Sequence, residues 1–187
     1  MKVLLIDNGS SLLEKLKELI GAEVITKNWS EVSPSDYIGY DLIVLSGSRD
    51  QSVVWKHDQL TGEIELLKNT KIPVIGICFG CELIAYAFGG ELKELPARHE
   101  GIREIEVLDK SLSLRSSIKV YEHHHWIISK IPNDFIELAR SADGSEAIKH
   151  KSRPIYGLQF HPENMVESAE GYKIFNAVLV RCPGHAL

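Results

Sequence analysis

Cysteine is scarce and unpaired in this chain: Cys78, Cys81 and Cys182 are the only three in 187 residues. An odd set with no framework of spacings argues against a disulfide-stapled fold and suits a reducing compartment, so a cytoplasmic location is expected. Cys78-x-x-Cys81 raises zinc and dithiol readings, but a zinc site of that kind wants a second ligand pair, which Cys182 alone does not supply; no metal is expected. Long apolar runs are also lacking. The first one breaks at Asp7, too short for a signal sequence, and none approaches the roughly 20 residues of a membrane helix, so no membrane partner is expected. Nor is there a basic stripe: 21 Lys and Arg stand among 26 Asp and Glu for a net charge of -5, which speaks against nucleic acid as a partner. Repeats, linkers and low-complexity tracts are missing, and a 44% hydrophobic content suffices for one core, so a single domain over 1–187 is expected.

What is present is an alternation of apolar strands and helical periods. "KVLLID", "AEVITK", "DLIVLSG" and "IPVIGI" read as strands. Between them, Leu12 to Ile20 and "LTGEIELLKN" carry helical spacing, the first introduced by a capping box at Ser11 and Glu14. This order implies an α/β fold with an open, mostly parallel sheet covered on both faces. After Gly89-Gly90 the texture turns to short alternating pieces, expected to form a small antiparallel addition, before "PIYGLQF" returns as an apolar strand and "SAEGYKIFNAVLV" closes as a helix.

Ligands in such sheets bind outside the carboxyl ends of the strands, and Cys78 stands at one of them, in "PVIGICFGCELI". Gly76 and Gly80 suit a tight strand-turn-helix elbow, and a helix starting just after Cys78 would favour its thiolate. A buried structural cysteine fits the elbow pattern equally well on its own. A base is available in "YGLQFHPEN": His161 ends another apolar strand, and Glu163, two positions on, can orient the imidazole. Nucleophile, base and orienting acid make a triad.

"GICFGCE" followed some eighty residues later by "QFHPE" resembles the class I glutamine amidotransferases, and "LLIDNG", "VLSGS", "ELARS" and "EAIKH" extend the likeness along nearly the whole chain. Within that family the run "FIELARSADGSEAIKHKSRPIYGLQFHPE" is most similar to the stand-alone amidotransferase subunits of archaeal GMP synthase. The resemblance implies a flavodoxin-like three-layer fold and release of ammonia from glutamine through a Cys78 thioester, with His161 as base and Glu163 behind it. It implies backbone oxyanion donors at Phe79 and in the Gly47-Ser48 loop, substrate contacts at Glu82 and His124, no cofactor, and a separate ATP-dependent synthetase that receives the ammonia.

Three departures from the family pattern bear on the substrate. Ser46-Gly47-Ser48-Arg49 stands where Ser-Gly-Gly-Pro is usual, Glu82 where Gln is usual, and "HHHW" at 123–126 where a Ser-His-x-Asp pattern is usual. They leave open a free-standing γ-glutamyl hydrolase or peptidase, and a non-catalytic partner-binding domain. Trp29, Trp55 and Trp126 are expected as partly buried core aromatics, and His57, His99, His150 and His185 as surface or loop residues.

Overall fold

The computed structural model describes residues 1–166 and 168–182; His185 lies outside them. Five strands are parallel, in the order β2 (Glu23–Asn28), β1 (Lys2–Asp7), β3 (Leu42–Leu45), β4 (Val74–Ile77) and β9 (Ile155–Leu158). The residues of β3, β4 and β9 are all buried, which is why they read as continuous apolar runs. Alternation then divides the core. Val3, Leu5, Leu42 and Val44 face one side, with Leu16 and Ile20 of α1 (Leu13–Ile20) and Ile174, Phe175 and Val178 of α5 (Gly171–Leu179). Leu4, Ile6, Ile43 and Leu45 face the other, with Val53 of α2 (Val53–Lys56), Leu66 and Leu67 of α3 (Thr61–Asn69), and Leu83 and Ile84 of α4 (Phe79–Ala87).

The antiparallel part departs from expectation. β5 (Glu91–Val107), β6 (Ser117–Lys130), β7 (Phe135–Arg140) and β8 (Ser145–His150) continue the sheet beyond β9, and β7 pairs with both β5 and β8. These four strands therefore close on themselves, so the layout is not simply an open parallel sheet with a small appendage. The pieces "ELKEL" and "IREIEVL" are one bent strand, β5, whose register against β6 shifts between Glu94 and His99. A bulge of this kind bends a strand while keeping its pairing, and closure needs such a bend.

The start of α1 also differs from expectation. Its N-cap is Leu12 with no side-chain cap, so the expected Ser11 and Glu14 capping box does not form. Instead Asp7 Oδ1 accepts the backbone N–H groups of Gly9 and Ser10, and Ser10 Oγ accepts that of Leu12. The helix ends at Gly21 in the left-handed region, where glycine avoids the steric penalty of a side chain.

Candidate functional site

Cys78 occupies the turn between β4 and α4 with φ 49 and ψ -105, a strained conformation for a side-chain-bearing residue. Strain of this kind costs about 1–3 kcal/mol and persists only where the surroundings enforce it. Here they do: the Cys78 N–H donates to the carbonyl of Leu158 at 2.8 Å, and the Cys78 carbonyl accepts the N–H of Glu82 at 3.0 Å. The two glycines are required by contact. A Cβ on Gly76 would lie 2.4 Å from the carbonyl oxygen of Gly80, and one on Gly80 would lie 2.6 Å from that of Leu45.

His161 comes from the segment after β9, anchored by its N–H to the carbonyl of Tyr121 on β6 at 2.8 Å. Its Nδ1 is 2.8 Å from Oε1 of the fully buried Glu163, which fixes the ring orientation and assigns a proton to Nδ1. Gly47 packs against both reacting side chains, since a Cβ there would meet Cε1 of His161 at 2.9 Å and Cβ of Cys78 at 3.6 Å. Cys78, His161, Phe79, Ser48, Glu82 and His124 all line one cleft of about 380 Å³.

The titration behaviour of the pair follows from its burial. Desolvation pushes the Cys78 thiol up, and the charge and hydrogen bond of His161 draw it back. Desolvation also opposes charge on His161, yet Cys78 and Glu163 together carry the imidazole well above its ordinary value. The balance leaves the thiol above its ordinary value, so burial outweighs the expected thiolate preference and the His161 imidazolium is what works toward it. Cys81 and Cys182 have no such partner: burial holds Cys81 far up and Cys182 at about 12. Cys81 Sγ abuts Gly157 so closely that a Cβ there would come within 2.5 Å, which makes it a packing residue.

The Ser46–Arg49 loop has its own tethers. Ser46 Oγ donates to the carbonyl of Gly47 at 2.8 Å and accepts the N–H of Asn8 at 2.9 Å, while Arg49 N–H donates to the carbonyl of Gly9. In a trans peptide the N–H points opposite the carbonyl, so holding the Gly47 carbonyl toward Ser46 turns the Ser48 N–H away from Ser46. Phe79 is the first residue of α4, and its N–H is one of the unsatisfied donors of a helix start.

Glu82 lies at the cleft floor, where burial raises its carboxyl to about 7 and Gln159 Nε2 donates to its Oε1 at 3.0 Å. Behind it are residues that the sequence did not single out. Glu122 and Glu146 are buried, and burial together with the charge of Glu122 raises Glu146 to about 8. His99 is no loop residue: it stands on β5 opposite His124, with Nδ1 3.5 Å from Glu122. His150 is likewise buried, with Phe88 and Phe135 around it. One signal could have found Glu122, since in "YEHHHW" it precedes His124 by two and so shares its face of a strand. Trp55 is 71% exposed and meets Trp126 edge-on at 6.0 Å beside the cleft, so it is not a core aromatic.

A cysteine on a strained strand-helix elbow, facing a histidine held by a buried glutamate in an α/β fold, defines a thiol amidohydrolase type of site. The profile described as glutamine amidotransferase class-I matches residues 4–180, and the chain belongs to that family. It is 32% identical over 171 residues to a glutamine-hydrolyzing GMP synthase subunit of Methanocaldococcus jannaschii, covering 86% of this chain and 87% of that one. The corresponding subunit of Methanothermobacter thermautotrophicus is 37% identical over 116 residues, 60% of this chain and 62% of its own length. A crystal structure of a Thermoplasma acidophilum protein, assigned as a GMP synthase subunit, has a TM-score of 0.84 at 28% identity, covering 96% of this chain and 92% of that one. No helix among the described residues is long and apolar enough to cross a membrane.

Proposed function

We propose that the chain acts as one cytoplasmic amidotransferase domain, hydrolysing glutamine to glutamate and ammonia for a separate ATP-dependent synthetase, the one that forms GMP. The observation that carries this reading is the convergence of Cys78 and His161 on one cleft, with the imidazole 2.8 Å from the fully buried Glu163. The Cys78 thiolate attacks the side-chain amide carbon of glutamine, and the carbonyl oxygen gathers negative charge. The N–H groups of Phe79 and of the Gly47-Ser48 loop receive that charge; losing one such donor typically costs about 2.7–4 kcal/mol of transition-state stabilisation. The C–N bond breaks as the imidazolium of His161 protonates the departing nitrogen, leaving ammonia and a γ-glutamyl thioester. His161 then takes a proton from water, the hydroxide displaces the thiolate, and glutamate leaves; Glu163 supports the charged imidazole in both halves.

Glu82 fits this scheme better than its formal charge suggests. With its carboxyl at about 7, it is substantially protonated at neutral pH, and a neutral carboxyl presents one acceptor and one donor, as the family's usual Gln does. Cys78→Ala is expected to abolish glutamate release from glutamine in the presence of the synthetase, measured by coupled glutamate oxidation. Unchanged release would remove the proposal. A second reading, a free-standing γ-glutamyl hydrolase, draws on the exposed Trp55 and the half-buried Trp126 at the cleft, which could take a bulkier leaving group than ammonia. Turnover of γ-glutamyl peptides, but not of glutamine, without any partner would select it.

A further inference from the structure

The β5–β6 pair carries a second constellation beside the cleft. His99 on β5 lies directly across from His124 on β6, and Glu122 shares the His124 face by its spacing of two. One ligand atom from each of the three lies within 4.8 Å of the others. Glu122 Oε2 is 3.3 Å from His124 Nε2 and 3.5 Å from His99 Nδ1. Those separations are long for charge-assisted hydrogen bonds, which close to about 2.7–2.9 Å. They match the edge of a tetrahedron, about 3.4 Å, around an ion with bonds of about 2.0–2.1 Å.

Two of these atoms, His99 Nδ1 and His124 Nε2, are unsatisfied, and so are other polar atoms of the same side chains. His99 Nδ1, Glu122 Oε1 and both ring nitrogens of His124 are buried with no hydrogen-bond partner among the described residues, as is Oε2 of nearby Glu146. The side chains of Glu122 and His124 are each only 1% exposed, so bulk water does not reach them. An unpartnered buried polar atom typically costs about 1–3 kcal/mol, and a group of them converging on one point indicates a missing ligand. Three acids, Glu122, Glu146 and Asp143, surround this point with Arg103 as the one guanidinium in direct contact among the described residues.

We propose that His99, Glu122 and His124 bind a divalent transition-metal ion, with Zn²⁺ the best chemical fit to two imidazoles and a carboxylate. The site reverses the expectation that this chain holds no metal. Its position makes it a clamp: an ion there joins the bulged strand β5 to β6 and fixes the ring of His124, which lines the same cleft as Cys78. Metal uptake requires His124 Nε2 unprotonated and moves the His99 proton from Nδ1 to Nε2.

Arg103 competes with the ion. Its Nη2 lies 2.7 Å from His99 Nε2 and, as a donor, holds that nitrogen as acceptor, which keeps the proton on Nδ1, the atom facing the site. Its Nε is 3.4 Å from Glu122 Oε2, and its Nη1 is 3.1 Å from Asp143, the group to which it can withdraw when the ion enters. Removing the arginine should therefore tighten metal binding, whereas in a plain ion-pair network it would only unravel the cluster.

The test uses the untagged full chain carrying Cys78→Ser, which takes away the thiol that could bind zinc by itself. After chelation and dialysis it is titrated with Zn²⁺ by calorimetry and with Co²⁺ by visible absorption. One ion per chain is expected, with affinity lowered at least about 100-fold by Glu122→Gln or His124→Ala and raised several-fold by Arg103→Gln. Thermal unfolding should shift upward with Zn²⁺ only where the three ligands are intact. Glu122→Gln keeps the shape of the side chain, and circular dichroism at each step checks that loss of binding is not loss of fold. No uptake at about 100 μM free Zn²⁺, equal uptake by Glu122→Gln, or weaker uptake by Arg103→Gln would each overturn the proposal.

Discussion

Replacing Glu82 by Gln should stabilise this protein, and by an amount that depends on pH. Burial raises the Glu82 carboxyl from 4.5 to about 7 in the folded chain. Below pH 4.5 both the folded and unfolded chains hold the proton, and Glu82 has little effect on stability. Between 4.5 and 7 the unfolded chain loses the proton while the folded chain keeps it, so stability falls as pH rises. Above 7 the folded chain ionises as well and the loss levels off. With those two values, the penalty is about 1 kcal/mol at pH 5 and about 3 kcal/mol at pH 8. Gln has no ionisation to penalise, and its amide oxygen can still accept the hydrogen bond that Gln159 Nε2 now donates at 3.0 Å. The advantage of Glu82→Gln over the parent should therefore grow by about 2–3 kcal/mol between pH 5 and pH 8, or roughly 5–10 °C in midpoint for a chain of this size. Urea unfolding of both proteins in chelated buffer at the two pH values measures the difference directly, and titrating groups that do not interact with Glu82 cancel in the comparison. A gap that stays constant from pH 5 to pH 8 would refute the argument, because it would mean that Glu82 ionises alike in both states.

Other expectations concern the triad and the frame. Iodoacetamide at pH 7 should label Cys78 alone, since it lines the cleft with His161 drawing its raised thiol back, whereas Cys81 and Cys182 are buried with no such partner; mass analysis showing a second rapid label would contradict this. Glu163→Gln removes the negative charge 2.8 Å from His161 Nδ1 and should lower the imidazole pKa, slowing Cys78 alkylation at neutral pH by about tenfold or more, with unchanged circular dichroism. Gly47→Ala places a Cβ 2.9 Å from His161 Cε1, and glutaminase kcat should fall by about 100-fold while the melting temperature moves little. Arg153 Nη2 donates to the carbonyls of Leu67 and Thr70 at the end of α3, so Arg153→Ala should lower unfolding free energy by about 1–3 kcal/mol and leave Cys78 alkylation unaltered.

The parts legible in the sequence were those set by short-range physics. Continuous apolar runs marked β1, β3, β4 and β9 because strands buried on both faces admit little else, and the flanking helical periods placed the chain in the α/β class. Gly76, Cys78 and Gly80 announced the elbow because only glycine tolerates the 2.4–2.6 Å approaches found there. His161, Pro162 and Glu163 lie in one tripeptide, so their hydrogen bond needs no long-range contact to be anticipated.

The tertiary structure decided whatever depends on register, closure and depth. The bulge in β5 sets His99 opposite His124, and no local pattern predicts how many residues such a bulge absorbs. Pairing of β7 with both β5 and β8 closes the antiparallel strands, whereas the alternating pattern only says that strands exist. Burial raises the Glu82 carboxyl to about 7 and outweighs the pull of His161 on the Cys78 thiol, because desolvation depends on everything packed around a group, however far away in the chain. The sequence thus determined which residues could perform the chemistry, since those signals are local, and the fold decided their protonation and their neighbours.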